Sequence, residues 1–333
     1  MSAIKKIQKL DFVWETEDPF LFCVHHLDKY PEGNQQQGPV TGLNGRALGQ
    51  DFEPSLDFRM YHGTEVPGFP EHPHRGFETV TVTLQGTVDH FDSLGAYGRY
   101  ADGDVQWMTA GKGMQHAEMF PLIHQDQANP LHLFQIWLNL PAKDKFVNPD
   151  YKMIWHEELK KVTLSKAVIT LISGSFQGMD AVDPPGNSWA AKRENHVNIW
   201  LIDMEEGAEI LLPCPSATVN RNLYLHKGSE LSFNGELVQV PMRVALTNEA
   251  VKVRNEGTSA SILLLEGEPI KEPVSKYGPF VMNTSKEIQQ AYEDYQKTQF
   301  GGWPWQRPDP VHPIDQTRLA RYTDGSMTYP PVK

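Results

Sequence analysis

Residues 72–86 read HPHRGFETVTVTLQG, and this stretch indicates the fold class of the chain. From Thr79 to Thr83 threonine and valine alternate strictly, and the run ends at Gly86. β-Branched residues in alternation favour a strand over a helix, and a glycine suits the turn that follows a strand. The stretch therefore predicts a β-strand that comes shortly after a His-x-His pair.

A second stretch places two more metal-binding side chains beside a strand. Residues 103–119 read GDVQWMTAGKGMQHAEM, in which a strand-like run and a glycine turn precede the pair His116 and Glu118. Successive side chains of a strand point to opposite faces, so residues at i and i+2 share one face. His72 and His74 are therefore expected to share a face, and so are His116 and Glu118.

Two such pairs, brought together in a barrel, supply three imidazoles and one carboxylate. One His-x-His pair among 13 histidines is weak evidence, whereas two pairs that each stand beside a glycine turn predict a metal site. Ligands of this kind, without a thiolate, suit Fe, Mn, Co, Ni, Cu or Zn. The predicted metal ligands are His72, His74, His116 and Glu118.

The pattern of strands predicts an all-β protein with two β-barrel domains. The first domain, residues 1–150, contains the candidate ligands, and a break is predicted near residues 141–163. Strand-like runs then recur with turns between them, including an Asn-Gly hairpin turn at residues 233–236. These runs predict a second barrel, residues 151–280, followed by a C-terminal helix and an extended tail, residues 281–333.

The C-terminal helix is predicted from its start signal and from its apolar stripe. Thr284 followed three residues later by Glu287 forms a capping box. Apolar residues then recur at i, i+3, i+4 and i+7, and these are Ile288, Ala291, Tyr292 and Tyr295. We expect this helix to lie against a barrel, with the proline-rich tail extended beyond it.

An internal comparison predicts that the second barrel has no metal site. Aligning Gly86 with Gly228 shifts the numbering by 142 residues (228 − 86). Under this shift the four candidate ligands fall on residues that do not repeat them, namely Cys214, Ser216, Thr258 and Ala260. The second barrel is therefore expected to be structural or to form a wall of the pocket.

Composition narrows the class of protein. With 333 residues the chain is long enough for two domains, and with only two cysteines a disulfide framework is excluded. Acidic residues outnumber basic ones by 42 to 30, which disfavours direct binding to nucleic acid. We see no signal peptide in residues 1–9 and no apolar run of the ~20 residues that cross a bilayer, so no membrane contact and a cytoplasmic location are expected.

At the motifs quoted above the sequence resembles the pirin family. The matching segments are DPF at 18–20, HPHRGFETV at 72–80, HFDSLGAYG at 90–98, GDVQWMTAGKGMQHAEM at 103–119, QIWLNLP at 135–141, PDY at 149–151 and YGPFVMNT at 277–284. The resemblance extends over about residues 10–302 and is strongest in the central third of the chain.

The resemblance implies a double cupin (bicupin), with two β-barrel domains and an iron ion in the N-terminal barrel. The metal ligands of the family map onto His72, His74, His116 and Glu118. In the general cupin pattern a glutamate about four residues after His-x-His is often a ligand. Pirin-like sites use Glu118 instead, which leaves Glu78 a supporting or structural role.

Two functions follow as hypotheses. Some pirins cleave the flavonol quercetin with dioxygen, which implies an Fe(II)-dependent, quercetin 2,3-dioxygenase-like enzyme acting on a flavonol or a related enol. In this hypothesis Glu118 is both a ligand and the catalytic base that takes the substrate hydroxyl proton. The alternative is an iron- and redox-dependent regulatory protein that binds a protein partner, since the animal pirin is described as a nuclear cofactor of a transcription factor.

Overall fold

The computed structural model of the chain describes residues 2–332 and divides into two compact units. The first barrel comprises Val24–Glu157 and Glu272–Lys333, and the second barrel comprises Met1–Cys23 and Glu158–Lys271. Among the described residues nearly all regular structure is β-strand, with a single α-helix, so the predicted all-β architecture is confirmed. Residues 2–332 contain no helix with the length and apolar character that a membrane crossing requires.

The strands of the N-terminal half are β1 (Ile4–Lys9), β2 (Val13–Trp14), β3 (Phe20–Tyr30), β4 (Gly68–His74), β5 (Phe77–Gln85), β6 (Thr87–Asp92), β7 (Tyr97–Ala101), β8 (Val105–Thr109), β9 (Met114–Met119), β10 (Asn129–Asn139) and β11 (Asp150–Ile154). Those of the C-terminal half are β12 (Lys160–Leu164), β13 (Ala167–Ser173), β14 (Ser175–Phe176), β15 (Met179–Asp180), β16 (Asn198–Met204), β17 (Glu209–Leu212), β18 (Asn220–Lys227), β19 (Glu230–Phe233), β20 (Glu236–Gln239), β21 (Met242–Leu246), β22 (Val251–Asn255), β23 (Ala260–Gly267), β24 (Ser275–Tyr277), β25 (Phe280–Met282), β26 (Leu319–Arg321) and β27 (Met327–Thr328). The helix α1 is Ser285–Thr298, and short 3₁₀ turns are Ala142–Asp144, Trp189–Ala191, Arg193–Asn195 and Gln299–Gly301.

Two sheets form the first barrel. One contains β11-β8-β5-β10-β3 in that order, and the other contains β27-β26-β7-β6-β9-β4. The Thr/Val run predicted as a strand is β5, at the centre of its sheet, and it is buried from Phe77 to Thr83. In the other sheet β9 lies between β4 and β6, so the two strands with candidate ligands are direct neighbours.

The second barrel has an apolar interior. Its larger sheet has the order β1-β21-β18-β23-β16-β13-β12, and its smaller sheet has the order β17-β22-β19-β20. The predicted hairpin turn is confirmed, because Phe233 pairs with Glu236 and both Asn234 and Gly235 have positive φ. The buried core includes Leu171, Trp200 and Ala260, the residue on which Glu118 falls under the 142-residue shift. Ala260 begins β23 of the larger sheet, whereas Glu118 is on β9, so the shift does not align equivalent strands.

Each end of the chain belongs to a different unit from the one that the predicted domain boundaries assign to it. The ranges 1–150, 151–280 and 281–333 follow sequence order, whereas contacts place Met1–Cys23 in the second barrel and Glu272–Lys333 in the first. Backbone pairing explains both placements. β1 pairs with β21 along an edge of the second barrel, and β26 pairs with β7 along an edge of the first.

The predicted C-terminal helix is confirmed as α1, with the predicted cap. The Thr284 hydroxyl accepts a hydrogen bond from the Glu287 N–H at 3.2 Å, and the Glu287 carboxylate accepts one from the Asn283 N–H at 3.1 Å. Ile288 and Ala291 are buried against Phe280 and Met282. The helix thus packs on β25 within the unit of the first barrel.

Replacing Thr284 by alanine is expected to lower the free energy of unfolding by ~1 kcal/mol, because the Glu287 N–H loses its acceptor. Ser285→Ala is the matched control, since Ser285 is the first residue of the helix and the cap is on its neighbour. Chemical denaturation followed by circular dichroism measures both variants. Equal unfolding midpoints for the two variants would contradict the role of the cap.

Candidate metal centre

The three histidines predicted as ligands meet on two neighbouring strands. His72 and His74 are on β4, His116 is on β9, and His72 lies directly opposite His116 in the antiparallel register. The ring centroids are 4.4 Å apart for His72 and His116, 4.7 Å for His72 and His74, and 4.9 Å for His74 and His116. One nitrogen from each ring lies within 4.8 Å of the others, which is the spacing of atoms that share one metal ion.

Hydrogen bonds from Nδ1 to backbone carbonyls orient the rings of His72 and His74. His72 Nδ1 is 2.8 Å from the Pro70 carbonyl oxygen, and His74 Nδ1 is 3.4 Å from that of Pro279. A carbonyl only accepts, so Nδ1 carries the proton in each ring and Nε2 has the free lone pair. Carbonyl partners of this kind orient histidine ligands in metalloproteins.

His116 shows that the centre fits a metal ion. The ring is fully buried, and neither nitrogen has a hydrogen-bond partner. A buried polar group left without a partner costs about 1–3 kcal/mol, and such groups are rare in folded proteins. A divalent ion held by the three rings would satisfy one of these nitrogens.

Burial also keeps the three rings in the form that binds metals. It lowers the pKa of His72 to about 4, and it lowers the pKa values of His74 and His116 well below the ordinary histidine value. The neighbouring imidazoles act in the same direction on His74 and His116. Neutral imidazole is the ligand form, so no proton has to be displaced at neutral pH.

Glu118 lies beside the three histidines but is not part of their close group. Its Oε2 is 3.8 Å from His116 Nε2, and the whole side chain is buried. Burial raises the pKa of its carboxyl, while hydrogen bonds from Thr81, Tyr100 and Gln135 oppose that rise. These donors are 3.0, 3.4 and 2.5 Å from the carboxylate oxygens.

The Glu78 carboxylate is hydrogen-bonded to two residues of β8. Its Oε2 accepts hydrogen bonds from Trp107 Nε1 and Thr109 Oγ1, both at 2.9 Å, and the side chain is completely buried. Both donors are on β8, which pairs with β5. Glu78 therefore links two strands of one sheet, and its expected supporting or structural role stays a prediction.

Sequence reasoning did not identify the three residues that contact Glu118. Thr81 is on β5, Tyr100 on β7 and Gln135 on β10, so they come from three strands far apart in the chain. The Thr/Val alternation placed Thr81 on one face of a strand, but no local signal assigned the other two to this site. Only the register of the sheets brings them to one carboxylate.

The C-terminal part of the first barrel contacts both ligand strands. Arg75, next to His74, forms an ion pair with Asp294 of α1 at 2.7 Å. Gln115, next to His116, accepts a hydrogen bond from Tyr295 at 2.8 Å and donates one to the Gln299 carbonyl, also at 2.8 Å. The helix thereby holds the backbone beside two of the three histidines.

Aromatic rings surround the histidines. The ring centroids of Phe77 and Trp137 are 5.1 and 5.3 Å from that of His74. Phe69 lies 6.2 Å from His72. The three histidines are therefore bordered by aromatic side chains.

Comparison with known proteins identifies two family models and several relatives that match this chain. The family model for pirin matches residues 47–138, and that for the pirin C-terminal cupin domain matches residues 199–301. A pirin-like protein from Solanum lycopersicum is 36% identical over 268 residues, covering 79% of this chain and 87% of the relative. Human pirin is 34% identical over 269 residues, covering 77% and 86%.

One further relative and one solved structure carry the name of an enzyme. A Pseudomonas aeruginosa protein provisionally named a quercetin 2,3-dioxygenase is 36% identical over 273 residues, covering 77% of this chain and 90% of the relative. A solved structure of quercetin 2,3-dioxygenase from Acinetobacter baumannii superposes with a TM-score of 0.72 at 24% identity, covering 91% of this chain and 99% of that chain. At that identity the second likeness shows the fold alone.

Proposed function

The chain belongs to the pirin family, and from this premise we propose that it is an Fe(II)-dependent dioxygenase that opens a flavonol or a related enol-bearing aromatic. One observation carries the proposal. The buried imidazoles of His74 and His116 and the half-buried imidazole of His72 converge beside a buried carboxylate, and both nitrogens of His116 lack a hydrogen-bond partner. The names of the bacterial relatives support this reaction class.

In this proposal His72, His74, His116 and Glu118 hold the metal. When bound, iron would supply a Lewis-acidic centre for the substrate oxygen and a path for electrons from the substrate to dioxygen. Because His74, His116 and Glu118 are buried and His72 is half-buried, the access of water to the reacting groups is limited.

Glu118 also moves the proton. Its Oε2 faces His116 and is the oxygen placed to accept the proton of the substrate hydroxyl, while Oε1 stays bonded to Thr81 and Tyr100. A carboxyl whose pKa is raised by burial is a better base than an exposed one. Phe69 and Trp137 offer apolar faces on which the aromatic rings of the substrate can pack.

Oxygen uptake with quercetin tests this function. Protein loaded with Fe(II) should consume dioxygen and quercetin together, and metal-stripped protein should regain the activity when iron is restored. Glu118→Gln is expected to slow the reaction by about a hundredfold, the lower end of what a positioned base contributes. The variant should be compared with wild type at equal iron content, so that lost metal is not mistaken for a lost base.

Stoichiometric iron without any loss of quercetin or related enols would contradict the proposal. That result would favour a metal-dependent binding protein instead. A pull-down with wild type and His74→Ala, under reducing and oxidising conditions, would then compare partners that depend on the metal.

A further inference from the structure

The two oxygens of the Glu118 carboxylate have different surroundings. Oε1 accepts hydrogen bonds from the hydroxyls of Thr81 and Tyr100, whose side chains are fully buried. Oε2 accepts one bond, from the half-buried Gln135 amide, and is the oxygen that lies 3.8 Å from His116 Nε2. One oxygen is thus held by the barrel wall, and the other is shared between an amide and the histidine centre.

We propose that Gln135 is a positioning residue that competes with the metal for Oε2 of Glu118, while Thr81 and Tyr100 keep Oε1 in place. The inference rests on the proposed role of Glu118 as a ligand. It assigns separate tasks to the two oxygens: Oε1 is the anchor and Oε2 is the exchangeable ligand atom.

The positions of the donors support this division. Thr81 and Tyr100 are on β5 and β7, and their fully buried side chains have little freedom to move. Gln135 reaches the carboxylate from β10 by a flexible side chain that is only half-buried. Hydrogen bonds to an ionised carboxylate are stronger than those between neutral groups, so the bond from the Gln135 amide can compete for Oε2.

This arrangement lets Glu118 leave the metal without losing all its partners. When Oε2 is released, Gln135 receives it, and Oε1 still accepts its two hydrogen bonds. A base that must bind the metal in one step and accept a substrate proton in another needs such a second resting place. The two hydrogen bonds to Oε1 keep the carboxylate from rotating away from the histidines.

Cobalt(II) is the probe, because its visible absorption weakens as its coordination number rises. Gln135→Leu keeps the side-chain size and removes the donor. We expect this variant to bind Co(II) more tightly by roughly three- to tenfold, the equivalent of one hydrogen bond. Its Co(II) band should also be weaker than that of wild type, because Glu118 then ligates permanently.

Thr81→Val should have the opposite effect, since it removes the shorter of the two hydrogen bonds that hold Oε1 and leaves only that from Tyr100. Affinity for Co(II) is expected to fall by about 10–100-fold, as for other residues that support a metal ligand. Thr79→Val and Thr83→Val are matched controls. Both threonines are buried on β5 and their hydroxyls have no hydrogen-bond partner, so their removal should leave affinity and spectrum unchanged.

Weaker Co(II) binding in Gln135→Leu, with an unchanged spectrum, would overturn the proposal, because Gln135 would then be an ordinary supporting partner. Unchanged binding in both Gln135→Leu and Thr81→Val would overturn it as well. These titrations contain neither dioxygen nor flavonol, so a failed dioxygenase assay does not affect them. If Glu118→Ala leaves affinity and spectrum unchanged, Glu118 is not a ligand, and that result rejects the inference independently of the reaction.

Discussion

Replacing His116 by alanine is expected to abolish metal binding and leave the first barrel folded. Loss of a residue that only supports a ligand typically costs 10–100-fold in metal affinity, so loss of a ligand should cost more than about a hundredfold. The proposed dioxygenase activity should disappear with the metal. Metal analysis of the purified variant, followed by titration with Fe(II), measures the effect.

The stability of the metal-free protein should change little, for a physical reason specific to this ring. Both His116 nitrogens are buried without partners, so the ring carries a penalty of ~1–3 kcal/mol in the metal-free state. Alanine removes that penalty, and the cavity that it leaves has a cost of similar size. Wild type should gain ~2.7 kcal/mol at a hundredfold excess of metal over Kd, and the variant should gain nothing.

The matched control is His312→Ala, which removes another buried histidine of the first barrel. His312 stacks on Phe91 and lies outside the group of three histidines. It should lower the Tm of the metal-free protein and preserve the rise in Tm on adding metal. Stoichiometric iron in a variant lacking both His72 and His116 would show that the ligand assignment is wrong.

Local features of the first barrel could be predicted from sequence because their causes are local. The alternation of the Thr/Val run predicted β5, and the Thr284 capping box predicted the start of α1. The i, i+2 spacing correctly put His72 with His74, and His116 with Glu118, on single strands. The pirin motifs supplied the rest of the fold prediction.

Features that depend on the pairing register of the strands could not be predicted from local sequence patterns. The pairing of β4 with β9 shifts between Phe69 and His72, so the alignment of His72 with His116 depends on an irregularity that no local pattern encodes. Which unit each chain end joins depends on the pairing of strands that are far apart in sequence. β26 and β7, for example, are more than 200 residues apart. Separations of that size leave no periodic signal.

Replacing Arg99 by leucine is expected to destabilise the first barrel by ~3–5 kcal/mol, the usual cost of breaking a buried ion pair. Arg99 on β7 lies opposite Asp89 on β6 and binds both its oxygens, at 2.7 and 2.8 Å. The two side chains are 3% and 0% exposed. Leucine fills the space but leaves the Asp89 carboxylate buried without its cation.

The same guanidinium also holds the tail that leads to β26. It donates to four backbone carbonyls, those of His312 (3.1 Å), Pro313 (2.8 Å), Ile314 (3.4 Å) and Gln316 (3.2 Å). Arg99→Leu removes all four bonds at once. Hydrogen exchange should therefore become faster at Leu319–Arg321, in the strand that follows, before the barrel unfolds.

Denaturant unfolding and hydrogen exchange together separate the two effects. Lys29→Leu is the control within the same barrel, because its ion pair with Asp57 is 77% and 76% exposed and should contribute less than ~1 kcal/mol. The double variant Arg99→Leu/Asp89→Leu should recover part of the lost stability, since no charge is then left buried and unpaired. If Arg99→Leu unfolds at the same denaturant concentration as wild type and β26 stays protected, the tail is held by its strand pairing alone.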